Sequence, residues 1–189
     1  MPHISIISSS VRAERKSHRV ALYFKNYLTE HNLASTEILD LKEYNFPIFD
    51  ERLEFQKKPS KETLEFAEKI KSSEGIIIVT PEYNGGYPAS LKNAIDLLYK
   101  EWRHKPIGIA TVSGGNFGGS QVITSLQFTL WKIMAWTIPA TFPVAKVQDA
   151  YDESGKPTNK EETDKFAHVF IKELLWCVKA DTAKFLAVD

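Results

Sequence analysis

Seven consecutive residues, Gly75-Ile-Ile-Ile-Val-Thr-Pro81, form a β-branched run with no polar interruption before Thr80. A half-exposed strand alternates polar and apolar side chains, so an unbroken run of this length suits a strand covered on both faces. Strands of that kind belong to parallel sheets, whose neighbours are joined by crossover helices. The rest of the chain fits. Ile4 to Ile7 is a second buried strand running into Ser8, Ser9 and Ser10, and Ile107 to Val112 is a third, ended by Ser113-Gly114-Gly115-Asn116-Phe117-Gly118-Gly119-Ser120. Thr36 to Leu41 and Phe142 to Val147 read as flanking strands. Between them lie helical patterns: Val20, Phe24, Tyr27 and Leu28 share a stripe after Ser17, and Leu64, Ala67 and Ile70 share one before Gly75. Pro88 opens a helix with Leu91, Ala94, Ile95 and Leu98 on one face, and further helices span Gln121 to Trp131 and Thr163 to Leu186. Five strands alternating with five helices predict an α/β fold, an open doubly wound parallel sheet with helices on both faces.

With 189 residues the chain can bury roughly 70% of its unfolded surface, so residues 1–189 are expected to form one domain with no need of disulfides. The single cysteine, Cys177, lies on the stripe of the last helix with Phe170 and Leu174 and reads as a buried, inert thiol. Basic and acidic side chains balance at 24 each, which argues against a nucleic-acid binder. No apolar run approaches the roughly 18 to 20 residues that span a bilayer, and the N-terminus lacks the basic segment and cleavage pattern of a signal peptide. A cytoplasmic location is expected. The five histidines show no metal-ligand spacing, so no metal is expected. Trp102, Trp131, Trp136 and Trp176 read as core or interface, with Trp131 and Trp136 candidates for a pocket shared across a dimer. Lys42 to Pro59, polar and proline-bearing, reads as a long loop, and Asp149 to Asn159 as a surface loop.

Ligands of doubly wound sheets sit beyond the carboxyl ends of the strands, where the strand order reverses. Three strand-end loops therefore become candidates: Ser8 to Ser17, Pro81 to Tyr87 and Ser113 to Ser120. The glycine loop matches neither G-x-G-x-x-G nor the phosphate-binding G-x-x-x-x-G-K-[ST], since Ser120 stands where the lysine belongs. Two readings of it stay open: a tight turn needing positive φ, or a loop facing a ligand. The first loop combines Ser9, Ser10, Arg12, Arg15, Lys16, Ser17 and Arg19 at a helix start, which is the chemistry of anion binding; alternatively Ser17 caps the helix and the cations are solvated. The second, Pro81-Glu82-Tyr83-Asn84-Gly85-Gly86-Tyr87-Pro88, offers flat tyrosines on a backbone fixed by proline and glycine, suited to an aromatic ring or simply to a rigid turn.

Ser9-Ser10-Val11-Arg12 with Ser17, the Pro81 to Pro88 loop followed by Leu91-Lys92-Asn93-Ala94-Ile95-Asp96, and the Gly-Gly loop after the next strand resemble the NADPH-dependent FMN reductase family from the first strand to about residue 130. The resemblance implies a flavodoxin-like three-layer sandwich with a five-stranded parallel sheet in the order 2-1-3-4-5. It implies FMN as cofactor, with NADPH or NADH as co-substrate. It assigns Ser10, Arg12 and Ser17 to the FMN phosphate, with Arg19 nearby. Pro81, Glu82, Tyr83 and Asn84 would take the ribityl chain and the ring edge, and Ser113, Gly114 and Gly115 the other side of the ring. Ser9 departs from the glycine usual in the family and is tolerated if its φ is negative. The reaction implied is hydride transfer to flavin and then two-electron transfer to a small-molecule acceptor (quinone, azo compound or free flavin) by ping-pong turnover. No residue is needed as catalytic acid or base, and Glu82 is read as structuring its loop. The Leu91 to Asp96 helix is similar to one that family members use to dimerise, implying a homodimer or a dimer of dimers. The alternative is a non-catalytic FMN-binding electron carrier or redox sensor.

Overall fold

The computed structural model describes residues 1–182. Five strands run parallel: β1 (His3–Ser8), β2 (Ser35–Asp40), β3 (Gly75–Pro81), β4 (Pro106–Val112) and β5 (Trp136–Val144). They are ordered β2-β1-β3-β4-β5, the flavodoxin-like topology. The main crossover helices are α1 (His18–Glu30), α3 (Lys61–Ser72), α4 (Ala89–Leu97) and α5 (Val122–Lys132), with the short α6 (Val147–Ala150) and then α7 (Lys160–Thr182) closing the described chain. The expected reach of the last helix to Leu186 lies partly outside the described residues.

Every residue of β3 and β4 is buried, as their apolar runs require. The two-residue period sends Ile77 and Val79 to one core, with Phe24, Phe170 and Leu174 of α1 and α7. Ile76 and Ile78 point to the opposite core, with Phe66, Leu91, Trp102 and Leu126. Each such side chain stabilises the fold by roughly 1.5–3 kcal/mol relative to exposure. Within the first core the Tyr23 hydroxyl donates to Asp164 at 2.8 Å, and burial with this carboxylate pushes the phenol far above its ordinary pKa.

Leu64, expected on the inward stripe of α3, is exposed, and Thr63 and Phe66 are buried beside Ala67 and Ile70 instead, because the inward face lies one position to either side of it. Two segments also differ from expectation. The last strand starts at Trp136 rather than near Phe142, and it ends at Val144. Its first half carries exposed Trp136 and Pro139 and shifts register against β4 between Ile107 and Ile109, so neither an apolar run nor an alternation survives there. Lys42 to Pro59 is not structureless. Asp40 accepts from the Lys42 amide at 3.0 Å and caps α2 (Leu41–Tyr44), and a 3-10 turn follows at Leu53–Phe55. Tyr44 and Phe46 stack and meet Phe66 edge-on. Asn93 of α4 pins the middle, accepting from the Phe49 amide at 2.6 Å and donating to the Pro47 carbonyl at 2.8 Å.

Trp102 is fully buried and donates to the Ile95 carbonyl at 3.1 Å, whereas Trp131, Trp136 and Trp176 are exposed. Cys177 is half-buried beside the first core, and burial with Glu173 raises its thiol pKa. Among the described residues no helix is long and apolar enough to cross a membrane.

Candidate functional site

Since β1 lies between β2 and β3, the chain leaves β1 for one side of the sheet and crosses back to the other. Its exit loop meets those of β3 and β4 there, as the reversal of strand order predicts. A cleft of about 350 Å³ opens between them. The first loop contributes Ser10, Arg12 and Ser17 to it, the second Pro81, Glu82 and Tyr83, the third Ser113 and Gly114.

The first loop is tied to its neighbours from several directions. The Ser9 amide donates to the Val79 carbonyl at 3.1 Å, and the Ser90 hydroxyl of α4 donates to the Ser9 carbonyl at 2.6 Å. Ser9 is not among the residues of positive φ, so serine fits where the family usually has glycine. Ser10 Oγ lies 2.7 Å from the Tyr83 hydroxyl, and the Arg12 guanidinium sits 5.8 Å above the Tyr83 ring centroid, so the anion loop and the aromatic loop close on each other. Ser17 does not act as the helix cap. Its backbone is already helical, its hydroxyl makes no capping bond, and its Oγ is buried without a partner, as is that of Ser9. A buried hydroxyl lacking a partner in a cleft that carries arginine and lysine fits a bound anion.

The second loop is a two-residue hairpin. Tyr83 and Gly86 exchange backbone bonds at 2.8 and 3.1 Å around Asn84 and Gly85, whose φ values of 52° and 79° match a type I′ turn. Asn84 therefore sets the turn, and Tyr83 and Glu82 face the cleft. Glu82 is held by its backbone, its amide donating to the Val112 carbonyl at 3.3 Å.

In the glycine loop the two readings divide between its halves. Gly118 and Gly119 have φ of 60° and 73° and make the tight turn. Gly114 and Gly115 have no such demand, and a Cβ on Gly115 would meet nothing within 4 Å. They are held open from behind by the segment after β5: the Val147 amide donates to the Ser113 carbonyl at 3.1 Å, the Lys146 amide to that of Gly115 at 3.0 Å, and Gln148 Nε2 to that of Gly114 at 3.2 Å.

Arg19 does not join the cleft. It reaches to the far end of the chain, donating to the Tyr151 carbonyl at 2.7 Å and pairing with Glu153. Two other cations of the first loop, Arg15 and Lys16, line the cleft instead. Arg15 also pairs with Asp40 at the end of β2, a contact 25 positions apart in sequence that no local spacing signals. His18 stands beside this pair, its Nδ1 3.0 Å from Ser8 Oγ and 3.6 Å from Asp40 Oδ2. Burial, then the Arg15 charge, lowers its pKa below the ordinary 6.5. Among the described residues no cluster of three or more His, Cys, Asp or Glu side chains could hold a metal.

Sheet order and cleft define an α/β protein of flavodoxin-like topology with a loop of hydroxyls and cations and an aromatic loop at the strand ends. The chain belongs to the NADPH-dependent FMN reductase family, whose model matches residues 2–149, somewhat further than the motifs alone extend. The family's proteins use FMN with NAD(P)H as electron donor, and the chain is an oxidoreductase. It is 34% identical over 140 residues to an NAD(P)H-dependent FMN reductase of Saccharomyces cerevisiae, covering 67% of this chain and 72% of the yeast protein. A quinone reductase of Pseudomonas putida is 28% identical over 189 residues, with 95% and 96% coverage. In fold the chain is similar to the flavoenzyme NAD(P)H:(acceptor) oxidoreductase of Paracoccus denitrificans, with a TM-score of 0.77 at 20% identity over 95% of this chain and 98% of that one.

Proposed function

We propose that the cleft binds FMN and that the chain uses NADH or NADPH to reduce a small-molecule acceptor: a quinone, an azo compound or free flavin. The buried, unpartnered Ser17 hydroxyl in a cation-lined cleft at the sheet's reversal point carries this reading. Ser10, Arg12 and Ser17 would hold the phosphate, with Lys16 in the place that Arg19 leaves. Arg12 supplies a planar fork for phosphate oxygens and Lys16 a point charge. Pro81, Glu82 and Tyr83 would face the ribityl chain and ring edge, largely through backbone groups, with Asn84 shaping their turn. Ser113, Gly114 and Gly115 would leave room for the ring's other side, because Gly115 has open space where a side chain would stand.

When bound, FMN supplies two-electron redox chemistry, taking hydride from the nicotinamide and giving two electrons to the acceptor in ping-pong turnover. The protein's part is position and exclusion of water, and we assign no acid or base. The same reading includes a homodimer or dimer of dimers in the cytoplasm. For the dimer, α4 turns Leu91, Ala94 and Ile95 into the core and offers a partner mainly polar groups such as Lys92 and Asp96, so Trp131 and Trp136 are the better apolar candidates.

The test is an absorbance spectrum after incubation with FMN and desalting, followed by anaerobic NADPH or NADH. Retained oxidised-flavin bands that bleach, with parallel double-reciprocal lines against a quinone, are the expected result. Bands that persist with both nucleotides indicate a carrier or sensor, and absence of retained flavin removes the assignment of the cleft.

A further inference from the structure

The pair of Arg15 and Asp40 sits beneath the first loop, with side chains only 12% and 6% exposed. A buried pair at the rim of an anion cleft can act as a charge or as a brace, and its contacts decide between them. Asp40 meets the guanidinium with both oxygens, so the charge of Arg15 is already balanced inside the protein. Arg12 and Lys16 remain as the cations of the cleft. One guanidinium nitrogen has a third contact: Nη1 also donates to the Ser10 carbonyl at 2.7 Å. That carbonyl is thereby fixed on the Asp40 side of the loop.

A trans peptide is planar, with C=O and N–H pointing opposite ways. Fixing the Ser10 carbonyl therefore fixes the Val11 N–H on the side away from Asp40. Among the described residues this amide has no acceptor. A freely rotating peptide would present its carbonyl oxygen to the anion about as readily as its amide, and the oxygen would repel it.

We infer that Arg15, clamped by Asp40, is a positioning residue that orients the Ser10–Val11 peptide so that the Val11 amide donates to the phosphate of the bound cofactor. This rests on the FMN reading above and adds that the guanidinium acts by geometry, not charge. One charge-assisted bond of this kind is expected to alter affinity about ten- to a hundredfold.

The readout is the ratio of FMN to riboflavin affinity, measured by fluorescence titration, because riboflavin lacks only the phosphate. The unmodified protein is expected to favour FMN strongly. Arg15→Lys retains the charge but not the fork, and Arg15→Gln loses both; each is expected to lower the ratio about ten- to a hundredfold while riboflavin affinity stays unchanged. Val11→Pro removes the donor itself and leaves the buried pair untouched, so it is expected to lower the ratio equally even if the Arg15 variants do not fold. An unchanged ratio in Val11→Pro overturns the inference. So does an Arg15→Lys protein that keeps the full ratio while Arg15→Gln loses it, since Arg15 then acts as a charge. Equal loss of both ligands marks a merely structural tie and also overturns it. An unmodified protein that binds neither ligand overturns the FMN reading instead.

Discussion

Gly155 and Gly115 show how differently two glycines can matter. At Gly155 φ is +82°, and a Cβ would lie 2.6 to 2.7 Å from the Tyr23 amide, the Arg19 carbonyl and Leu22, where the surface loop packs on α1. Gly155→Ala is expected to destabilise by roughly 3 kcal/mol or more, a fall in Tm on the order of 6–12 °C in a thermal melt. Gly115→Ala is expected to leave Tm unchanged within about 2 °C, because its Cβ would meet nothing within 4 Å, and to weaken FMN retention if the proposed ring site extends to it. His18 gives a pH prediction. Its folded pKa lies below the ordinary 6.5 because burial and Arg15 outweigh Asp40 and Glu43. On acidification the unfolded chain takes up this proton first, so the stability of neutral His18 is complete above pH 6.5 and is lost as pH falls toward the lower folded value. His18→Gln is expected to flatten that part of the Tm-versus-pH curve, and an unaltered curve would show that His18 plays no part. The meeting of Ser10, Arg12 and Ser17 in one cleft is legible at this scale because strand-end hydroxyls and cations cluster in sequence. Arg15 with Asp40 is not, because their partnership exists only once β1 and β2 lie side by side.

At the scale of elements, the segment between β2 and α3 is tied at its ends by Tyr44 and Phe46 on Phe66 and by Glu54 on Lys100, and in its middle by Asn93. Asn93 supplies two of its bonds, at 2.6 and 2.8 Å, so Asn93→Ala is expected to speed hydrogen exchange at residues 45–58 and to cost about 1–3 kcal/mol. Exchange as slow as in the unmodified protein would show that the packing of Tyr44 and Phe46 on Phe66 suffices. This segment reads as a plain loop because its aromatics follow no period: they meet the core one by one across a turn at Asn45, whose φ is 44°. The buried strands β1, β3 and β4 were readable because burial on both faces writes an unbroken apolar run. The start of β5 was not, since Trp136 and Pro139 are exposed and the register shift beside Pro139 erases any alternation.

For the molecule as a whole, sheet order followed from the alternation of strands and helices together with the family likeness, while the depth of the cleft depended on distant segments. Gln148 and Val147 close its floor from beyond the last strand, and nothing in their local composition marks them. The same last strand has a consequence for life in a crowded solution. An open sheet leaves two unpaired margins, and each invites another chain to add itself strand by strand into an insoluble polymer. Pro139 and Pro143 deprive β5 of two amide donors and the register shift bends its course, so a growing aggregate finds no regular ladder there. Replacing both prolines by valine is expected to raise light scattering on mild heating, and that margin then sets how concentrated this reductase can become before it precipitates.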